Sequence, residues 1–185
     1  MKIAIFVRPL LLGPLLLAAA ASAHAQSQDG ARDALQQAAT GAAFRIGYTQ
    51  FRLAPEGVVS AAGAAQSAGA QAVRVGDYAV QLQPATARTL RAAKVKPRLA
   101  AAVGDDGKAV VVTSTLNVYH SNPASLQDAV RVSGGTLVYS SVAGGAGRIE
   151  FDSVDAAMKA MAKIQSIAGI KEVAPEIVEG EDAPN

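Results

Sequence analysis

The alternation of apolar and polar positions is clearest in the C-terminal half of the chain, where it first predicts a β-hairpin. Residues 98–103 and 109–119 are rich in apolar and β-branched side chains and flank the sequence Gly104-Asp-Asp-Gly107. An Asp-Gly pair between two such stretches is typical of a tight turn, because glycine accepts the positive φ angle that the turn requires. We therefore expect two paired strands over residues 98–119.

A helix and two further strands are predicted after this hairpin. Ser121-Asn-Pro123 is typical of a helix start with Pro in the first turn, and Gly134-Gly135 is typical of a helix end. Residues 136–141 and 148–151 are predicted to be strands, joined by the Gly-rich turn 143–147. Strands joined this closely are expected to pair antiparallel.

A second helix and a fourth strand complete the pattern. Asp152 or Ser153 is expected to cap the helix, and Gly169 to end it. Residues 170–177 are predicted to form the strand. Apolar residues recur at helical spacing at Val154, Ala157, Met158, Met161, Ile164 and Ala168.

The resulting order, β-α-β-β-α-β, is that of a ferredoxin-like unit, predicted over residues 105–178. Right-handed crossovers place both helices on one face of a four-stranded antiparallel sheet. The helix residues expected to pack against Ile149 and Phe151 are Leu126, Val130, Met158 and Met161. The opposite face must then contact solvent, the N-terminal half or a partner.

The N-terminal region, residues 26–104, is predicted to be α+β and rich in strands, so the fold class is α+β. Pro55 is expected to begin a helix through the Ala/Gly tract 57–72, which either packs closely on a sheet or is mobile. The other predictions are a short helix or frayed leader at 26–41, a strand at 44–51, strand character with a Gly-Asp turn at 73–82, and a helix at 84–94.

The first 25 residues have the pattern of a secretory signal peptide. A basic start with Lys2 precedes an apolar stretch, and small residues at Ala23 and Ala25 suit a cleavage site. We expect cleavage after Ala25, or alternatively after Ala23. An uncleaved membrane anchor is the other interpretation, but Pro14 interrupts a segment shorter than the roughly 20 apolar residues of a spanning helix. The mature protein is therefore expected in the periplasm or secreted, and not in a membrane.

Composition and charge narrow the function classes. The chain of 185 residues is 50% hydrophobic and 17% charged and has no Cys, which excludes disulfides, thiol nucleophiles and Cys-ligated metals. Two of the 17 basic residues, Lys2 and Arg8, lie in the leader, which leaves 15 against 15 acidic residues. Near-neutral charge gives no argument for nucleic acid as a partner. The basic run 88–98 is either a solvated face or a groove for a charged partner.

Residues that could carry chemistry are few. His120 is the one histidine after Ala25, and we interpret it as a surface residue at a strand-to-helix corner rather than as part of a Ser-His-Asp triad. Asp105 and Asp106 are explained by the hairpin turn, and Glu150 and Asp152 by strand exposure and helix capping. Gly144–Gly147 joins two strands, unlike a phosphate-binding loop. We expect no enzyme activity, no cofactor and no metal site.

The segment Gly145–Pro175 is similar in plan to the prodomains of subtilisin-type peptidases. Its helix is followed by Gly169-Ile-Lys-Glu-Val-Ala-Pro175, which resembles the end of such prodomains, and Val173–Asp182 continues as an acidic tail. The resemblance covers the C-terminal part alone. Since the N-terminal half departs from a minimal prodomain, prodomains of secreted metallopeptidases that carry an extra N-terminal region offer a second comparison.

The resemblance implies a free-standing inhibitor or folding chaperone of a secreted peptidase. The solvent-facing sheet surface would dock on the peptidase, and the tail would lie in or near its cleft. The tail is assigned to residues 179–185, and the residues expected to bind the partner are Ile177, Val178, Glu179, Gly180, Glu181 and Asp182. A small-ligand-binding or envelope-assembly protein that attracts an anion to the basic run is the alternative, and a hydrolase built on His120 is a third.

Overall fold

Antiparallel strands dominate residues 29–65, 72–83 and 97–180, the part of the chain that the computed structural model describes. The strands are β1 (Ala43–Ile46), β2 (Thr49–Ala54), β3 (Gly57–Ala61), β4 (Ala72–Val75), β5 (Tyr78–Leu82), β6 (Leu99–Gly104), β7 (Ala109–His120), β8 (Thr136–Ser141), β9 (Ala146–Glu150) and β10 (Ile170–Glu179). The helices are α1 (29–37), α2 (Ala62–Ala65), α3 (Pro123–Ser133) and α4 (Val154–Gln165). The α+β class is confirmed.

The long strand β7 organises the larger, seven-stranded sheet. The strand order is β1-β2-β6-β7-β9-β8, and β10 pairs with the other edge of β7. On its first edge, β7 pairs with β6 through residues 109–113 and with β9 through residues 115–119. The neighbour changes at Ser114, whose carbonyl accepts a hydrogen bond from the Phe151 N–H at 2.9 Å. The sheet curls, so that β1 contacts β10.

The helices and strands predicted after the hairpin are present, but Gly169 does not end the second helix: α4 ends at Gln165 with Ser166 as its C-cap, and Gly169, with φ 86°, lies in the turn before β10. The caps explain the other bounds. Asn122 accepts a hydrogen bond from the Ala124 N–H at 2.8 Å at the start of α3, and Gly134 ends that helix with φ 72°. Ser153, rather than Asp152, caps α4 by accepting from the Ala156 N–H at 3.2 Å. The fourth strand continues to Glu179, two residues beyond its predicted end.

The strands β10, β7, β9 and β8 lie side by side, and apolar residues of α3 and α4 form a core on one face of them. We call this the helix-side core. Its buried residues are Leu116, Val118, Leu126, Ala129, Ile149, Phe151, Ala157, Ala160, Ile164 and Val173. Val130 and Met161 pack against it as predicted, but Met158 does not. Met158 packs instead with Phe44 and Phe51 inside the curl of the sheet, because α4 reaches the N-terminal strands.

A second sheet covers the N-terminal half of β7. Its strand order is β3-β5-β4, and together with α1 it packs over β6 and the first half of β7. The buried residues between these layers are Ala31, Leu35, Ala54, Val73, Val75, Val80, Ala101, Val103 and Val111. Gly57 allows the close approach, because a Cβ there would lie 2.8 Å from the Cβ of Ala101.

Two predictions for the N-terminal region are wrong. Residues 44–51 are not one strand but most of the β1–β2 hairpin, which turns at Gly47 with φ 58°. The helix predicted from Pro55 is instead strand β3 followed by the single turn α2, because Val58 and Val59 pair with β5. Residues 66–71 and the helix predicted at 84–94 lie outside the described residues. The strands with the Gly76-Asp77 turn between them are confirmed.

The leader prediction also falls on residues that the structure does not describe, 1–28. In the described ranges, no helix combines the length and the apolar character needed to cross a bilayer. The boundary placed at residue 104 stays a prediction. Strands β7 and β10 follow residue 104 in the sequence. They contribute residues to the helix-side core and also to the two clusters that contain residues from before position 104.

Candidate partner-binding face

The face of β7 opposite α3 and α4 is covered at one end and uncovered at the other. Val111 is buried under the second sheet, whereas Thr115 and Asn117 are half-buried and Tyr119 is 45% exposed. The alternation places Leu116 and Val118 in the helix-side core and sends their neighbours to the other face. We call the uncovered surface the open face, which comprises Thr115, Asn117, Tyr119, Tyr139, Arg148, Glu172 and Glu176.

Arg148 is the centre of the open face. It lies between Asn117 and Tyr139 in register, and its guanidinium carbon is 5.7 Å from the centre of the Tyr139 ring. Its Nη1 is 3.3 Å from Oε1 of Glu176, and Oε2 of Glu176 accepts a hydrogen bond from the Thr113 hydroxyl at 3.2 Å. These contacts link β8, β9, β10 and β7. They orient the Arg148 side chain along the open face.

The ion pair on the open face adds little to stability. The Arg148 side chain is half exposed and that of Glu176 about a third exposed, and pairs this accessible to water contribute roughly 0–1 kcal/mol. Arg98 and Glu150 form a second exposed pair beside Thr115. Because the fold depends little on these charges, they remain available to contact another molecule.

A cavity of about 290 Å³ lies beside the open face, next to the β1–β2 hairpin. Ile46 and Ile177 give it an apolar side, and Tyr119 and Glu172 are among its other lining residues. Its volume is at the lower limit for a small-molecule site but suits one large side chain of a protein partner. The cavity therefore extends the open face rather than forming a separate ligand site.

The predicted partner-binding segment is divided by the structure. Ile177, Val178 and Glu179 lie in β10 and pair with Val112, Val111 and Val110. Ile177 and Val178 also pack against buried cores, so in this arrangement they are part of the fold. Gly180 follows the strand, and Glu181 and Asp182 lie outside the described residues. Their binding role stays a prediction.

His120 is buried, and its interpretation as a surface residue is wrong. It ends β7 with 3% exposure, where the 142–145 turn and the Gly169 turn lie beside the strand end: the backbone N–H of His120 donates to the Gly145 carbonyl at 2.7 Å, and that of Ser121 to the Gly169 carbonyl at 2.8 Å. Neither ring nitrogen has a hydrogen-bond partner in the described residues. A triad would need an Asp or Ser at this ring.

Replacing His120 with Leu is expected to stabilise the fold. A buried polar group without a partner costs about 1–3 kcal/mol, and Leu fills a similar space without that cost. We expect the free energy of unfolding, measured by urea denaturation, to rise by about that amount.

Ser125 supplies the matched control, since it is a buried polar residue whose hydroxyl has a partner. Its Oγ donates to the Ala168 carbonyl at 2.8 Å, so Ser125→Ala is expected to cost about 1 kcal/mol. A loss of stability in both variants would show that the His120 ring makes a favourable polar contact.

The other sequence candidates have structural roles. Asp106 accepts a hydrogen bond from the Lys108 N–H at 3.0 Å in the β6–β7 turn. The turn between β8 and β9 comprises residues 142–145 rather than the predicted 143–147, because Ala146 and Gly147 pair with β7 and β8 as part of β9. In residues 29–65, 72–83 and 97–180, no group of three His, Asp or Glu side chains could hold a metal ion.

A larger cavity of about 400 Å³ lies at the opposite end of the molecule, near the β6–β7 turn. Arg32, Arg74 and Lys108 line it together with Asp106 and Glu179. Because basic and acidic side chains both line this cavity, its charge gives no reason to expect an anion as its ligand. Of the basic run 88–98, only Arg98 is a described basic residue, and it pairs with Glu150.

The sequence interpretation missed Tyr119, Tyr139 and Arg148. The signal for Tyr119 and Arg148 is the alternation within β7 and β9, in which each stands between two buried residues, whereas β8, which contains Tyr139, has no such alternation. No family model, no curated protein and no solved structure matches this chain. The function is therefore inferred from the chain's own surface.

Proposed function

We propose that the protein is an exported, non-enzymatic module that binds another protein through the open face. The partner we propose is a secreted peptidase, which the protein inhibits or helps to fold. The single observation that supports binding most strongly is the uncovered sheet surface with Tyr119, Tyr139 and Arg148 on it. Tyr and Arg are enriched among the residues that contribute most of the energy of protein interfaces.

The peptidase class follows from the architecture that we propose for the C-terminal part. The strand order β10-β7-β9-β8, with α3 and α4 against one face, is consistent with a ferredoxin-like βαββαβ unit. Subtilisin-type prodomains resemble this plan and leave one sheet face free. The open face is the corresponding surface here.

Preorganisation supports a tight complex. Arg148 is already held by Glu176 and Tyr139, so little side-chain freedom is lost when a partner carboxylate or carbonyl approaches it. Tyr119 stands beside the adjoining cavity and offers a large contact area with few rotatable bonds. We expect these two residues to be the main energetic contacts.

The test uses the mature protein with an N-terminal tag, applied to the periplasmic and secreted fractions of its own organism. We expect a peptidase to co-purify and its activity to fall in proportion to added protein. Tyr119→Ala and Arg148→Ala are each expected to raise the dissociation constant about 30-fold or more, the effect of losing about 2 kcal/mol at a central contact.

The control is Tyr48→Ala, which removes a fully exposed aromatic ring from the β1–β2 turn, outside the open face. It is expected to bind like the unchanged protein. If Tyr119→Ala and Arg148→Ala bind as well as Tyr48→Ala, the open face is not the docking surface. If no peptidase is captured, the proposal that the partner is a peptidase is wrong.

Deleting residues 181–185 tests the role of the tail separately from that of the open face. This deletion leaves β10 complete, whereas a cut before Ile177 would remove a strand segment that pairs with β7. If the tail enters the peptidase cleft, inhibition is lost while docking persists. Unchanged inhibition would exclude the tail mechanism and leave the open face as the sole contact.

A further inference from the structure

Strand β8 is an edge of the larger sheet. It pairs with β9 on one side, and no strand in the described residues pairs with its other side. Five of its six residues are exposed, including Leu137, Val138 and Tyr139, of which Val138 and Tyr139 are 51% and 52% exposed. An edge strand presents a row of backbone N–H and C=O groups that can pair with another strand.

The strand lacks most of the features that keep sheet edges from associating. Its sequence, Thr136-Leu-Val-Tyr-Ser-Ser141, contains no Pro and no charged residue. The one irregularity lies between Leu137 and Tyr139, where Val138 is an extra residue relative to β9. An uncharged edge with three exposed apolar or aromatic side chains is typical of a surface that becomes covered by another strand.

We propose that β8 pairs antiparallel with β8 of a second copy of this chain, about a two-fold axis between Val138 and Tyr139. This register places Val138 opposite Tyr139 of the second copy and Thr136 opposite Ser141. Aliphatic–aromatic pairs and hydroxyl pairs are among the favourable cross-strand contacts. Thr136 and Ser141 lie on the same face, since they pair with Glu150 and Ala146 of β9.

Charge favours a second copy over an oppositely charged partner. Residues after Ala25 include 15 basic and 15 acidic side chains, so two copies approach without strong net repulsion. The strand itself adds no like charge at the junction. A symmetric pairing uses the same patch on both copies, as two-fold dimers do. It extends the sheet, uses Tyr139 at the border of the open face, and leaves Tyr119 and Arg148 of both copies on strands outside the contact.

The test is the oligomeric state of the mature protein, measured by sedimentation over a range of concentrations. We expect a dimer whose dissociation constant rises on the order of tenfold or more in Val138→Lys and in Val138→Glu, because the two new like charges then lie close together on either side of the axis. Mixing the two variants is expected to restore the dimer, which also shows that both are folded.

Tyr48→Lys is the control, because it adds the same charge at an exposed site away from β8 and should leave the dimer unchanged. If the Val138 variants do not fold, Thr136→Lys at the end of the strand repeats the test. A monomer at every concentration overturns the proposal, as does a dimer that the β8 variants leave intact. If the protein is a monomer that binds extended peptides, the proposal is also overturned, because the strand that pairs with β8 then belongs to a different molecule.

The dimer and the docking surface can fail independently. Val138→Lys should weaken pairing and retain peptidase binding, since the main contacts proposed for the peptidase, Tyr119 and Arg148, lie on β7 and β9. Tyr119→Ala should weaken peptidase binding and retain the dimer. Loss of both properties in either variant would contradict the separation of the two surfaces.

Discussion

An Ile149→Ala variant is expected to lose about 2–5 kcal/mol of its free energy of unfolding. Ile149 is fully buried in the helix-side core, pairs in register with Leu116 and Leu137, and lies against Gly135. Truncation removes apolar contacts and leaves a cavity that strands fixed on both sides cannot close. Urea denaturation, with the slope of the transition compared between variants, measures the loss.

Val142→Ala is the matched control for this prediction. Val142 follows β8 and is 72% exposed, so the same kind of truncation there should change stability by no more than about 0.5 kcal/mol. Equal losses in the two variants would contradict the placement of Ile149 in the helix-side core. Because a domain is stable by about 5–15 kcal/mol in total, the Ile149 variant is expected to be marginal.

Gly147 and Leu126 are expected to show strong coupling in a double-mutant cycle. Gly147 allows α3 to approach β9, because a Cβ there would lie 2.6 Å from Cδ2 of Leu126, which is itself buried. Gly147→Ala should therefore cost about 1–3 kcal/mol through overpacking, and Leu126→Ala about 2–5 kcal/mol through a cavity. In the double variant, the new methyl group occupies part of the space that Leu126 vacates.

We therefore expect the double variant to lose less than the sum of the single losses, with a favourable coupling of about 0.5–3 kcal/mol. The measurement is the free energy of unfolding of all four proteins under one set of conditions. Additive losses would mean that α3 does not rest on β9 at Gly147. The result bears directly on the helix-to-sheet packing of the proposed ferredoxin-like unit.

Local sequence signals were sufficient where an element has its own start and end signals. The β6–β7 hairpin turns through Gly107 with φ 80°, and α3 is capped by Asn122 at its start and by Gly134 at its end. Each of these residues acts through its own backbone or a neighbour within a few positions. The apolar spacing of α4 similarly placed Ala157 and Ile164 in the core.

Local sequence signals failed where residues distant in the sequence decide the conformation. Val58 and Val59 are in a strand because β5 pairs with them, and no neighbouring residue in the sequence indicates that pairing. His120 was expected at the surface because it lies at a strand-to-helix corner, but it is buried where the turns at Gly145 and Gly169 meet the end of β7. Met158 has helical spacing like its neighbours, yet the curl of the sheet brings Phe44 and Phe51 to it.

The sequence by itself determined the α+β class, the order of elements after residue 98 and the scarcity of catalytic side chains, because periodicity, caps and composition are local properties. The tertiary structure decided which sheet surface is open and which strand is an edge. Those features depend on the path of β7, which changes neighbours at Ser114. The second sheet covers its first half, and the exposed side chains of Tyr119, Tyr139 and Arg148 lie on the face that stays uncovered.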